Sequence, residues 1–483
     1  MAKDIIYEPG RTFGEFSLLT GYTSKECSPQ NINLNTRLYD NQFLKIPLIS
    51  SPMTSVTGEE MAIALGKIGG MGVLPARFTA EEQAKIVTNI KNQDLSFVDE
   101  PKTLYSNHTI EKALSIIQSY GYSTLPIVNK FREFKGMFTQ ENYWESNVSN
   151  ADKVINAMIP YKKGDSNIDV SYNPDITEQE AKNILKNSNK KYLVVLDNLE
   201  RLIKLAFKQD IDTIKVGVAT DTYPGWQKRV ETVIDTGVDL IVIDSSDAYN
   251  ENIINAVKEY KSNYKAPLCV GNVITYDGAM ALMDAGADLV KEGMSSGSIC
   301  TTQKVKATGR GPMTSLLETV RARDDYFKKS GRYVSVIADG GITGSADMII
   351  ALAGGADLLI MGNYFNKFYE AAGPKLDENK KPTNYESKIR YVETWGEGSD
   401  RARNLGRYGH SHRRTFFAEG AEGLVSYAGR LRPNIERDMQ IVKAALSNVG
   451  AMNLKEFREK AVLELNSIHT SSIVSNIHDI SSK

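Results

Sequence analysis

The sequence predicts an α/β protein, a (β/α)8 barrel interrupted by an α+β insertion. Three observations predict it. Short β-branched apolar runs recur along the chain, each followed by a turn and an amphipathic stretch. The runs do not alternate polar with apolar, so both faces are buried, as in a parallel sheet. Between about residues 95 and 208 this grammar lapses, and then it resumes. At least six successive units favour a closed barrel over an open sheet.

The elements follow in order. FLKIPLISSPMTSV (43–56) reads as a strand ending in a loop, 58–69 as a helix, and GGMGVLPARF (69–78) as the next strand. These are the first two units. TIKVGVAT (213–220) resumes the pattern, with a helix over 227–235. VDLIVIDSS (238–246) precedes a helix over 251–260, and APLCVGNV (266–273) one over 278–285. DLVKEGM (288–294) runs into the loop SSGSICTT. YVSVIADGG (333–341) precedes a helix over 345–353, and ADLLIMGN (356–363) is the last strand. Residues 373–432 are rich in Gly, Asn, Lys and Arg with little apolar periodicity; a stretch this long in a compact domain suggests a lid. Stretches 435–446 and 453–463 read as closing helices. Three segments follow: 1–94 as the first part of the barrel, 95–208 as the insertion, and 209–483 as the second part with a flap at about 373–432.

Composition narrows the function. The chain has 483 residues, with 58 Lys+Arg against 59 Asp+Glu and a net charge of −1. Without a global positive field, a dedicated nucleic-acid surface or a polybasic membrane surface is not expected. Hydrophobic residues make up 41%, enough for a large core. The longest apolar runs fall far short of the ~20 residues that span a bilayer. The start MAKDIIYEPGRTF has no apolar h-region, so no signal peptide is expected. Three cysteines, Cys27, Cys269 and Cys300, cannot build a disulfide framework, which fits a reducing cytoplasm.

The chemistry gathers at predicted strand ends. Cys300 lies in EGMSSGSICTTQKVKATGRGP (292–312), directly after a barrel strand, on the face where barrel active sites assemble. Small neighbours Ser295, Ser296, Gly297 and Ser298 let backbone N–H groups approach an anion, and a thiol in such a loop suits a nucleophile. Cys269, inside PLCVGN, reads as core. IADGGI (337–342) and LIMGN (359–363) place glycines after late strands, a common phosphate cradle. Asp339 suits a pair of ribose hydroxyls. Asp244, Ser245 and Ser246 occupy another tip, and Asn272 a further one. No GxGxxG follows a strand, so any nicotinamide cofactor is not held by a Rossmann unit. In WGEGSDRARNLGRYGHSHRRTFFAEGAEG (395–423) five arginines crowd with Tyr408; by composition alone this is a solvated basic loop. His410 and His412 have no partner cluster for a metal.

Within the insertion, 101–144 and 169–207 each read as strand, helix, two strands, helix. Each half resembles a CBS motif, and the pair a Bateman module. GSICTTQ, ADGGI, the DSSD and GN tips and the RY-containing flap together resemble the inosine-5′-monophosphate (IMP) dehydrogenase family, over nearly the whole chain from EPGRTFGEF (8–16) onward. The resemblance implies NAD-dependent oxidation of IMP to XMP on the route to guanine nucleotides. It implies that Cys300 attacks C2 of the base, that Thr302 assists, and that Arg407 with Tyr408 activates the hydrolytic water. Ser51 and Met53 would line the IMP pocket. Ser298, Gly340, Gly341, Gly362 and Asn363 would hold the phosphate, with Asp339 on the ribose. Gly396, Glu397 and Gly398 would meet the base, and Glu419 its ring edge. Asp244, Ser245, Ser246 and Asn272 would face the nicotinamide riboside. A homotetramer is implied, with adenine or guanine nucleotides as ligands of the CBS pair.

The family's monovalent cation, potassium, would sit at Ser295, Gly297 and Cys300. Here the loop reads GMSSGS where the family has glycines, and the tail reads IVSNIHDI (473–480) where the family has Glu-Gly-Gly. Thr394 stands where the family has a phosphate-contacting Tyr, and Asn363 where it has Ser. Two alternatives remain at this level: GMP reductase, which shares the Cys loop but lacks the Arg-Tyr pair, and a nucleotide sensor that has lost catalysis.

Overall fold

The apolar runs close into an eight-stranded parallel barrel in the computed structural model, which describes residues 5–93, 97–120, 124–146, 148–188, 190, 192–207, 213–294, 302–402 and 420–467. In chain order the strands are β1 (Leu48–Ser50), β2 (Met71–Leu74), β3 (Val216–Thr220), β4 (Leu240–Asp244), β5 (Leu268–Val273), β6 (Leu289–Glu292), β7 (Ser335–Asp339) and β8 (Leu358–Met361). β8 pairs with β1, which seals the barrel and leaves no free edge. The helices that follow them include α1 (Glu59–Lys67), α2 (Ala80–Lys91), α3 (Trp226–Ile234), α4 (Glu251–Asn263), α5 (Tyr276–Ala285), α6 (Pro312–Ser330) and α7 (Ser345–Ala353).

The barrel interior is filled by side chains from alternate positions. Ile49, Met71, Val73, Ala219, Val242, Cys269, Leu289, Ile337 and Ile360 form one buried cluster, closed below by Leu38 and Leu44. Those two come from a small antiparallel hairpin, Thr36–Tyr39 with Gln42–Leu44. The apolar pattern assigns Phe43 and Leu44 to the first barrel strand, and the structure corrects this. Asp40, at positive φ, turns the chain back, so they pair with Arg37 and Thr36 and plug the barrel floor instead.

A three-fold sequence repeat braces that floor. VDL (238–240), ADL (287–289) and ADL (356–358) each put an Asp one residue before a strand. Asp239 accepts from Val216 N at 2.8 Å, Asp288 from Leu268 N at 2.8 Å, and Asp357 from Val336 N at 2.9 Å. Each therefore ties its own strand to its neighbour's start. Each also binds cations: Lys91 for Asp239, Lys261 for Asp288, Arg323 and Arg458 for Asp357. Charge-assisted bonds of this kind are the stronger class.

The chain folds as two compact units. One is Met1–Lys91, Ile214–Leu431 and Arg437–Lys483; the other is Asn92–Thr213 with Arg432–Glu436. The second unit holds two four-stranded sheets. In one, Leu104–Tyr105, Thr124–Val128, Phe134–Thr139 and Ile159–Pro160 are neighbours. In the other, Val170–Ser171, Tyr192–Leu196 and Leu202–Phe207 are joined by Phe97–Asp99. In each, a parallel pair brackets a helix, Ile110–Tyr120 or Glu178–Lys186, and an antiparallel partner follows.

The stretch read as a lid has a built base. Lys375–Leu376, Tyr391–Trp395 and Glu422–Ser426 form a three-stranded antiparallel sheet. Among the described residues no helix is long and apolar enough to cross a membrane.

Candidate functional site

The carboxyl ends of the barrel strands carry the polar residues. Asp244 ends β4, Asn272 is the next-to-last residue of β5, and Asp339 ends β7. Lys291, the third residue of β6, points into the barrel between them with only 2% of its side chain exposed. Its Nζ lies 3.0 Å from Asp244 Oδ1 and 2.5 Å from Asp339 Oδ2, and it donates to Asn272 Oδ1. Burial alone would lower its proton affinity, but the Asp244 and Asp339 carboxylates outweigh it and hold the ammonium above its ordinary value. Asn272 Nδ2 in turn reaches Gly293 O at 2.6 Å and Asp339 Oδ2 at 3.0 Å. Four strand tips are thus joined through one ammonium.

The rim nearby is backbone-lined. Gly340 and Gly341 adopt positive φ after β7, which turns the chain sharply there. Gly362, after β8, is packed so closely that an added Cβ would lie 2.6 Å from Met53 Sδ and 3.1 Å from Ser51 Oγ. Ser51, Met53 and Gly362 are therefore packed together at the rim, with Asn363 at the start of the next short helix. The buried Ser51 hydroxyl has no hydrogen-bond partner among the described residues. Ser245 exchanges backbone bonds with Gly271 and Asn272, its N–H donating at 2.8 Å and its carbonyl accepting at 2.7 Å. Ser246 is exposed on the same tip. Thr302 is buried at the start of the helix Thr302–Lys306.

The base of the flap is latched to the β1 loop. Glu397 Oε1 accepts from Thr54 N at 2.5 Å and from Thr54 Oγ1 at 2.8 Å. Trp395 Nε1 donates to Thr54 Oγ1 at 2.6 Å, and Ser55 Oγ donates to the Trp395 carbonyl at 3.1 Å. Glu397 therefore meets protein through its side chain. Gly396 and Gly398 flank it on a turn closed by Ser399 N to Gly396 O at 2.9 Å. Thr394 is buried, its hydroxyl taken by the Asn366 amide. Arg401, one of the crowded arginines, stacks over Trp395 at 4.0 Å and pairs with Glu393 at 3.2 Å.

Ser295, Gly297, Ser298, Cys300, Arg407, Tyr408 and Glu419 lie outside the described residues, as does the tail 473–480. The other two cysteines are placed. Cys269 is fully buried, and burial pushes its thiol up to about 12, so it is inert at neutral pH. Cys27 is buried with Sγ 3.4 Å from Ala451 O.

Sequence reasoning missed Lys291 and Thr54. A signal for Lys291 existed: a lysine inside an apolar strand run must be paired if it is buried. Thr54 offered none, since its partners lie more than 300 residues away.

Glu292, beside Lys291 on the opposite face of β6, is buried at 1% exposure. Its Oε2 makes no well-formed hydrogen bond among the described residues, and burial pushes the carboxyl well above its usual range, outweighing the opposing influence of the Ser315 hydroxyl. The unfolded chain releases this proton near the ordinary value of 4.5, and the native state only at higher pH. Stability is therefore lost as pH rises between the two. Glu292→Met is expected to raise stability at neutral pH by about 1–3 kcal/mol, with a smaller gain in mild acid. Melting curves across pH check this; an equal or lower melting temperature at every pH would contradict it.

Fold and rim define the class first: a (β/α)8-barrel enzyme whose polar groups converge at the carboxyl ends of β1, β4, β5, β7 and β8. Comparison with known proteins gives the family. A model of the IMP dehydrogenase / GMP reductase domain matches residues 10–478. The chain is 32% identical over 501 aligned residues to the inosine-5′-monophosphate dehydrogenase of Tritrichomonas foetus, covering 98% of this chain and 96% of that one. It is 29% identical to the enzyme of the same name from Aquifex aeolicus, covering 94% and 92%. Among solved structures, a Trypanosoma brucei GMP reductase variant with bound guanosine 5′-monophosphate superposes with a TM-score of 0.68 at 23% identity, covering 98% of each chain. At that identity the likeness speaks for the fold. The chain belongs to the IMP dehydrogenase / GMP reductase family of oxidoreductases.

Proposed function

We propose that the protein oxidises IMP to XMP with NAD, through a covalent intermediate on Cys300. The observation that carries the reading is the Arg407–Tyr408 pair in a flap sequence beside an intact GSICTTQ loop, in a chain whose relatives at 28–32% identity are named IMP dehydrogenases.

In this reading the Cys300 thiolate adds to C2 of the hypoxanthine, forming an S–C2 bond. The C2–H bond then breaks, and its hydrogen leaves with both electrons to the nicotinamide of NAD, giving NADH. The thioimidate left on Cys300 is hydrolysed. Water adds at C2, Arg407 accepts its proton with Tyr408 beside it, and the S–C2 bond breaks to return the Cys300 thiolate and XMP. Thr302 assists at the start of its helix. Ser298, Gly340, Gly341, Gly362 and Asn363 hold the phosphate through backbone N–H groups and short side chains. Asp339 accepts from the ribose hydroxyls. Ser51 and Met53 flank the base, Gly396, Glu397 and Gly398 lie along it, and Glu419 bonds its edge. Asp244, Ser245, Ser246 and Asn272 face the nicotinamide riboside. Four copies assemble, and the unit at 95–208 is a CBS pair open to adenine or guanine nucleotides.

The Glu397–Thr54 latch supports the flap's part in this scheme. It ties Glu397, near the flap's root, to Thr54, next to the Ser51–Met53 segment proposed to line the IMP pocket.

The test is product identity. IMP with NAD is expected to yield NADH and XMP. GMP with NADPH is expected to release no ammonia; ammonia without XMP would replace the dehydrogenase reading with the reductase.

A further inference from the structure

We propose that Lys291 is a positioning residue that holds Asp244 and Asp339 in fixed register, and so sets the two substrate sites against each other. The inference rests on the reading that Asp339 takes the IMP ribose and Asp244 faces the nicotinamide riboside.

A lysine ammonium has three N–H donors. Here its three partners are Asp244, Asp339 and Asn272, on β4, β7 and β5. None of the three donors is left for a substrate, so Lys291 acts through the groups it holds. Both carboxylates are partly exposed at the rim, at 18% and 24%, while the ammonium beneath them is 2% exposed. The charge is thus placed below the rim, where it holds both carboxylates from inside the barrel. Asn272 closes the arrangement by bonding Asp339 and the carbonyl of Gly293. Gly293 leads directly into the Cys300 loop.

A purely structural role fits poorly. The layer below is apolar, built from Val242, Cys269, Leu289 and Ile337. A methionine or leucine at 291 would continue that packing, and buried ion pairs seldom stabilise more than apolar residues of like volume. The charged groups facing this ammonium are the two rim carboxylates. Asp288 braces the strand's other end, and Glu292 points to the opposite face. The ammonium is accounted for by what the two carboxylates do.

The experiment is steady-state kinetics on the full chain with Lys291→Met and Lys291→Arg. Lys291→Met is expected to raise KM for IMP and KM for NAD together, each by about tenfold or more, with a smaller fall in kcat. Adding Asp244→Asn to it is expected to raise KM for NAD less than the same change does in the native chain, because the held geometry is already lost. A rise in one KM only, unchanged KM values, or strict additivity with Asp244→Asn would overturn the proposal. If Lys291→Met does not fold, Lys291→Arg decides: it keeps the charge but shifts it, so both KM values rise, and two native values would overturn the proposal. A native chain that makes no NADH from IMP and NAD would instead remove the reading beneath it.

Discussion

Replacing Cys300 with alanine is expected to abolish the proposed NADH formation from IMP and NAD, with a loss of roughly a thousandfold or more, while IMP binding persists. The expected split follows from where the work is divided. The thiol supplies the only covalent bond in the scheme, and without it hydride would have to leave from an aromatic C2 that nothing has made tetrahedral. Apart from Ser298, the groups proposed to hold IMP sit on other tips: Ser51 and Met53 after β1, Asp339 at the end of β7, Gly362 after β8. They are carried by other strands than β6, which leads into the Cys300 loop. Calorimetric titration with IMP alongside an NADH assay separates the two. Turnover that survives in Cys300→Ala would show that another group is the nucleophile. Cys269 is a poor candidate for that, buried with its thiol pushed up to about 12.

Gly271→Ala is expected to destabilise the fold by about 3 kcal/mol and to damage both substrate sites at once. Gly271 faces Lys291 across the β5–β6 pairing. A Cβ there would press into the Lys291 carbonyl oxygen, and would lie 2.6 Å from Lys291 Cβ and 3.0 Å from its carbonyl carbon. These are strand atoms in the barrel wall, so the backbone itself must move. The residues displaced are Asn272 and Lys291, which join Asp244 to Asp339. Denaturant unfolding measures the stability loss, and KM for IMP and NAD the damage to the site. A variant with native stability and native KM values would show that the two strands are not in this close register.

The barrel was legible because parallel strands buried on both faces announce themselves as unbroken apolar runs, and seven of the eight were short and clean. The first was blurred. Residues 43–56 carry one continuous apolar signal, but Phe43 and Leu44 belong to the floor hairpin, and beyond Ser50 the chain turns, with Met53 N bonded to Ser51 O. A local pattern cannot divide a run whose halves serve two sheets. The flap's base was illegible for a different reason. Tyr391–Trp395 pairs with Glu422–Ser426 across a long gap, and its burial pattern follows contacts made by Thr54 and Ser55 at the other end of the chain.

Much of the rim could be read because glycines and small polar residues after strand ends have few uses other than turns and ligand contact. Asp244, Asn272 and Asp339 were each visible as tips, and their union was not. Lys291 joins them, and as a lysine within DLVKEGM it looked like one polar interruption in an apolar run. Periodicity records where a side chain points but not the carboxylates that await it from neighbouring strands.

The central claim, a covalent adduct on Cys300 formed with hydride loss, is tested most directly by intact mass. The Arg407→Ala variant, in which the hydrolytic base is removed, is mixed with IMP and NAD and quenched in acid. The account predicts one equivalent of NADH per chain and a mass gain of one IMP less two hydrogens, located on the peptide that contains Cys300. NADH released without any adduct, or an adduct on another residue, would contradict it.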